Sequence, residues 1–197
     1  MARQSERSAA TIEGVLGAAQ RLFMTRGFDA VSIDEIAAAA GIAKGGFYHH
    51  FSSKQSVFEA VLDRVQAELA SQLESRLKSN TGKRTPETIA MNILAYLKAA
   101  SAPGLRQLIL IDGPVVLGWK RCWEIDDHHF FASIHSGLVA IMGPKASRRQ
   151  VESAARLVAG ATMEAALVTG SSENPVAVAR VYCATLRSML YGLQKHP

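Results

Sequence analysis

The sequence has no apolar run near the ~18 residues that a membrane span needs, and its opening MARQSERSAA lacks the apolar core of a signal peptide. The expected location is therefore the cytoplasm, with no membrane partner. Only two cysteines occur in 197 residues, Cys122 and Cys183. They lie far apart in helical patterns, so reduced thiols are expected rather than a disulfide framework. Alternating strand patterns, internal repeats and low-complexity segments are also lacking. No nucleophile–base pair, glycine-rich phosphate loop or Cys/His metal spacing is found, so neither catalysis nor a cofactor is expected. The net charge of +5 does not mark a basic nucleic-acid domain. Residues 1–60 contain six Lys/Arg and six Asp/Glu, which cancel, and the whole excess lies downstream. Any case for nucleic acid must rest on where particular side chains stand.

What the sequence does have is a densely punctuated stretch from Ser32 to Leu62. Ser32 precedes the apolar stripe Ile33, Ile36, Ala37, Ala40, and Glu35 follows three positions on, the signature of a capping box. Gly41 can take the left-handed conformation that ends a helix. Ile42 then anchors a tight turn before a second helix opens at Lys44. Two helices across so short a turn read as helix-turn-helix, about residues 32–51.

The second of these helices is costly as a helix and useful as a probe. Gly45 and Gly46 each cost about 1 kcal/mol relative to alanine. Phe47 and Phe51 can anchor one face, which leaves Lys44, Gly45, Tyr48 and His49 on the other. Glycines let the backbone approach a base edge, and lysine, tyrosine and histidine reach phosphates or groove atoms. Ser52 or Ser53 caps a third helix, and Lys54 in its first turn suits a phosphate.

The run around Phe23–Leu62, LFMTRGFDAVSIDEIAAAAGIAKGGFYHHFSSKQSVFEAVL, resembles the DNA-binding domain of TetR/AcrR-type bacterial transcription regulators. Leu-Phe, Gly27-Phe28, Ser32, Ile36-Ala37, Gly41-Ile42, Lys44-Gly45, Tyr48-His49 and Phe51-x-x-Lys54 recur together at the family spacing. The resemblance implies that Lys44, Gly45 and Gly46 face bases, that Tyr48, His50 and Lys54 hold phosphates, and that Ser32 approaches the strand. The sequence departs from the family pattern at Ala43, where a serine is common, and at Gly46, where a small hydroxyl residue is common.

Around this motif the chain reads as all-α, about nine helices in two domains: residues 1–68 for DNA binding, 69–197 for ligand binding and dimerisation. Residues 1 to about 8, with Arg3 and Arg7, read either as a mobile arm along the DNA or as a disordered start with no role. Ile12, Val15, Leu16, Ala19, Leu22 and Phe23 form a supporting helix stopped by Gly27. The third helix of the motif continues to about Lys78 as a connecting rod, and Thr85-Pro86 starts a fresh helix. Ala102-Pro103-Gly104 and Asp112-Gly113-Pro114 are read as breaks around the short apolar segment Leu105–Ile111.

From Val116 a stripe of Trp119, Trp123, Phe130, Ile134, Leu138 and Ile141 runs to Gly143-Pro144. Trp119, Trp123, Asp127 and Phe130 are the candidate ligand-pocket residues. Asp127 lies within this stripe, either paired with Arg106 or another buried arginine, or free to meet a cationic ligand. Glu124, His128 and His135 share another stripe but are strung too far along one helix to converge on a metal, so none is expected. Two alanine-rich helices, Ser147–Gly170 and Pro175 to about Leu193, close the chain as a hairpin. Their apolar faces could pack within the domain or against a copy, and the resemblance implies the latter, a homodimer through C-terminal helices.

The expected function is thus a DNA-binding transcription regulator, a repressor released from a palindromic double-stranded operator by a small apolar or cationic effector. A ligand-independent architectural dimer and a helical small-molecule-binding protein or enzyme are the rival readings.

Overall fold

A computed structural model describes the backbone of residues 2–80 and 82–195, and the side chains of residues 6–79 and 82–194. The regular elements among the described residues are all helices, with no strand. The elements are α1 (Ala2–Arg26), α2 (Ile33–Ala39), α3 (Lys44–His50), α4 (Lys54–Asn80), α5 (Pro86–Ala100), α6 (Pro103–Arg106), a π-helical segment (Gln107–Asp112), α7 (Gly113–Leu117), α8 (Trp119–Met142), α9 (Arg148–Ser171) and α10 (Pro175–Lys195). Because α6, the π segment and α7 run on without interruption, these make nine helical stretches among the described residues.

Contacts gather the chain into two compact units. One holds Met1–Val65 with Pro103–Cys122, the other Gln66–Ala102 with Trp123–Pro197. Both α4 and α8 carry residues of each unit.

In the first unit local chemistry sets the helix ends. Ser32 accepts the Glu35 amide at 3.2 Å, while Glu35 takes the Ser32 amide at 2.8 Å, closing the capping box of α2. Gly41, at φ +70°, makes the left-handed turn that frees the chain for α3. Ser53 and Ser56 exchange reciprocal bonds of 3.0 and 3.1 Å at the start of α4. The core beneath is aromatic. Phe23, Phe28 and Phe58 form a triangle of ring centroids 5.2–5.7 Å apart, two of the pairs edge to face, a geometry that adds to simple burial. Phe47 is fully buried and fixes the inner side of α3.

Two sequence expectations are corrected here. Residues 1–8, read as an arm ahead of the first helix, belong to that helix over their described part: α1 starts at Ala2, and Thr11 Oγ1 bonds the Arg7 carbonyl at 2.9 Å within it. The Arg3 side chain lies outside the described residues. Asp112-Gly113-Pro114 is not a break either. Gly113 stays helical at φ −50° and donates to Leu108 five residues back. The widened turn removes the usual conflict between a proline, which lacks an N–H and crowds the preceding turn, and a continuing helix. The real interruption comes at Gly118, whose φ of +79° separates α7 from α8.

The second unit packs α5 against α10 and α9, and α9 against α10. Thr85 caps α5 with Pro86 in its first turn, and Ser147 with Gln150 forms the capping box of α9. Gly137 allows α8 to approach α5 closely, since a Cβ there would stand 2.7 Å from Ile89 Cδ1. Neither cysteine forms a disulfide. Cys183 donates to the Ala90 carbonyl at 3.2 Å, and burial raises its thiol above the ordinary value.

Candidate nucleic-acid interface and ligand cavity

Within the first unit, α3 presents Lys44, Gly45, Tyr48 and His49 to solvent, while Phe47 is buried and Gly46 and His50 are half-buried. A Cβ on Gly45 would meet nothing within 4 Å, so this stretch of backbone is open to an approaching surface. Gly46 instead faces Ile42, 3.7 Å from a Cβ placed there. Ala43 gives α3 no side-chain cap, as expected from its methyl group.

The charged groups on this surface are already engaged. Lys44 Nζ is 2.9 Å from Asp34 on α2, whose hydrogen bond and charge raise the lysine above its ordinary value. Arg26 pairs with Glu35 at 2.7 Å. The amide of Ser32, chiefly, and then the Arg26 guanidinium hold Glu35 at about 2. The Ser32 hydroxyl bonds Glu35 Oε2 at 2.8 Å, so this serine serves the cap. Lys54 donates to the carbonyls of Phe28 and Val31, both at 2.9 Å, and sits 4.1 Å from the Phe28 ring centroid. An ammonium has three protons, so one remains for an external acceptor. Reading the sequence located Lys54 but missed this internal role, because its partners lie 23 and 26 positions away.

The second unit contains a cavity of about 530 Å³, within the range of ~300–1,000 Å³ common for small-molecule sites. Trp123, Asp127 and Phe130 line it, together with residues of α4, α5 and α9. Trp119 does not. It is half-exposed at the first residue of α8 and groups with the first unit. The Tyr96 and Phe130 rings meet edge to face at 5.4 Å on the wall.

The carboxylates of this cavity differ in their partners. Glu74 accepts Arg84 Nη2 at 3.1 Å on both oxygens, and Ser133 Oγ joins them at 3.1 Å. Asp127 pairs with Arg156, whose guanidinium lies 4.0 Å from the Phe131 centroid and 5.2 Å from that of Trp123. The arginine foreseen for Asp127 is therefore Arg156, not Arg106. Asp126, which sequence reading passed over, accepts only the buried Gln66 amide. Burial, opposed by that bond and aided by the Asp127 charge, raises its carboxyl to about 7. Burial, with Asp126 nearby, raises the Tyr96 phenol as well.

A helix-turn-helix with an exposed donor face, followed by a helical unit with a cavity, defines a two-part helical regulator in form. Comparison with known proteins agrees. The family model described as bacterial regulatory proteins, tetR family, matches residues 15–61, and that described as tetracyclin repressor-like, C-terminal domain, matches residues 87–193. The chain belongs to the TetR family of DNA-binding transcription regulators. The Transposon Tn10 TetC protein of Escherichia coli is 31% identical over 134 residues, 68% of this chain and 66% of that protein. The transcriptional activator FasR of Mycolicibacterium smegmatis is 41% identical over 70 residues, 36% of this chain and 32% of its own length. The chain thus matches less than two thirds of the length of either relative. Over nearly the whole fold, 98% of both chains, it is similar to a TetR-family transcriptional regulator from Pectobacterium atrosepticum, at a TM-score of 0.79 and 25% identity. No helix of the described residues is long and apolar enough to cross a membrane.

Proposed function

We propose that this regulator is a repressor that binds a palindromic operator as a homodimer and is released by a small apolar or cationic effector. Residues 1–68 bind DNA in this reading, and residues 69–197 hold the effector and the partner copy. On the DNA side, Lys44 and Gly45 face bases, with Gly46, turned toward Ile42, behind them. Tyr48, His49, His50 and Lys54 hold phosphates or groove atoms, and Ser32 lies near the strand. One observation carries the proposal: α4 begins four residues after α3 ends and later supplies Ala70, Leu73, Glu74 and Leu77 to the cavity wall. A ligand that moves this wall acts on the helix next in sequence to the recognition helix.

Dimerisation has its own support. On α10, Ala179, Leu186 and Leu190 are buried, while Val181 (65% exposed) and Met189 (53%) face outward, as does Leu157 on α9 (72%). One seven-residue recognition helix touches few base pairs. Two related by a two-fold axis, about 34 Å apart, read two inverted half-sites. The cavity favours an effector-controlled protein over an architectural one.

An effector releases DNA only as far as it binds the release form better, and a coupling of about 1–3 kcal/mol weakens DNA binding about 5–150-fold. Selection of bound sequences from random DNA, followed by reporter assays on the site found, tests this reading. An inverted repeat whose reporter is silenced is the expected result. A site without inverted symmetry counts against the dimer, and reporter activation, as the name of FasR suggests for that relative, counts against repression.

A further inference from the structure

The cavity wall carries three carboxylates, Glu74, Asp126 and Asp127, against two guanidinium groups that pair with two of them. Arg84 balances Glu74, and Arg156, stacked on Phe131, balances Asp127. Asp126 is left over. Among the described residues it has no ion-pair partner and only the amide of Gln66, a side chain 1% exposed whose own Oε1 has no hydrogen-bond partner. Asp126 is half-buried at the cavity wall, and a carboxylate partly withdrawn from water without a cation is disfavoured in its charged form. The cavity is large enough for the missing cation to come with a ligand.

We propose that Asp126 is the counter-charge for a protonated amine, and that the cavity takes an organic amine whose apolar body lies against Tyr96 and Phe130. This rests on the reading of the cavity as the effector site. Arg156 already occupies the place beside Asp127, so the ligand's cation goes one residue earlier on α8. There Asp126 accepts the Gln66 amide and its charge acts on the Tyr96 phenol, and neither of these groups carries positive charge. Burial, chiefly, and the neighbouring Asp127 charge raise this carboxyl to about 7. An ammonium that binds the ionised form lowers it and releases a proton.

The sign of the pH dependence follows. At pH 6 most of Asp126 is protonated and at pH 8 most is ionised. Since apparent affinity scales with the competent fraction, the amine binds about tenfold tighter at the higher pH. The other charged or titratable groups of the wall are Glu74 on α4, Arg84 before α5, Tyr96 on α5, and Asp127 and His129 on α8, with Arg156 of α9 on Asp127. Imidazole is the other side-chain type that titrates near neutrality, so an Asp126 variant is needed to separate Asp126 from His129.

The test is calorimetric titration of the full-length protein with 2-phenylethylamine, 2-phenylethanol and 3-phenylpropanoate at pH 6 and pH 8, repeated on Asp126→Asn. Asparagine keeps an acceptor for Gln66, and its melting temperature at pH 8 reports whether the variant is folded. The proposal expects the amine to bind the native protein in preference to the other two, about tenfold tighter at pH 8, with both the preference and the pH dependence lost in Asp126→Asn. Amine binding unchanged in that folded variant overturns it, as does equal or tighter binding of the alcohol or the carboxylate. Binding of the alcohol alone, with release of operator DNA, removes the amine and leaves the effector cavity standing. Amine binding that follows Asp126 yet leaves operator affinity unchanged supports the amine site and removes its effector role.

Discussion

Asp112 Oδ2 accepts the backbone N–H of Phe28 at 2.7 Å, joining two residues 84 positions apart within the first unit. Asp112 Oδ1 takes Gln107 Nε2 at 2.8 Å, so the π-helical segment holds the turn that follows α1. This carboxylate sits at the end of the widened turn that sequence reading took for a break. Asp112→Ala leaves the part-buried Phe28 amide without its acceptor, and an unsatisfied donor costs about 1–3 kcal/mol. Urea unfolding is expected to show a loss of that size. A loss within error of zero would mean that water replaces the carboxylate.

At the recognition surface, Lys44→Ala is expected to weaken specific DNA binding, by about 1–3 kcal/mol at one position of the site if the lysine reads a base. Lys44 must first leave Asp34, so Asp34→Asn is expected to act in the opposite direction and strengthen binding. Fluorescence anisotropy on selected operator DNA over a series of salt concentrations measures both. Unchanged affinity and salt slope in Lys44→Ala would remove this residue from the interface.

The dimer prediction concerns α10. Charges at the outward positions, Val181→Glu with Met189→Glu, are expected to yield a monomer in sedimentation at micromolar concentration and to lose operator affinity, with helicity retained. Both side chains are exposed within one chain, so the fold of that chain does not need them. A double variant that stays dimeric would place the interface elsewhere.

Glu35 provides a pH test. Its carboxyl is held at about 2 against an ordinary 4.5 by the Ser32 amide and then Arg26. A lowered carboxyl stabilises the folded state above its ordinary value, and that contribution is lost as pH falls through the folded value. Glu35→Gln is therefore expected to melt earlier than the native protein at pH 7, with the difference shrinking from pH 4.5 toward 2. A constant difference across that interval would assign the effect to the shape of the cap instead of its charge.

How far the sequence alone determined this protein follows the range of the interactions involved. The starts of α2, α5 and α9 are set by Ser32 with Glu35, Thr85 with Thr88, and Ser147 with Gln150. Each cap closes within three or four residues, and the turn at Gly41 needs only one residue free to take positive φ. Local chemistry of that kind is written in the order of residues, and so were the helix-turn-helix and the outward face of α3.

Distant partners had to be supplied by the folded chain. Lys54 reads as a free cation until Phe28 and Val31 bring their carbonyls to it. Trp119 and Trp123 share a stripe by spacing, yet Trp119 stands one turn earlier, at the first residue of α8, and only Trp123 lines the cavity. Asp126 and Asp127 are neighbours in sequence, and adjacent positions on an α-helix point about 100° apart. One therefore meets Arg156, 29 positions on, and the other meets Gln66, 60 positions back. Which of two adjacent acids finds a guanidinium depends on packing among α4, α8 and α9, because charge compensation is decided by distance in space.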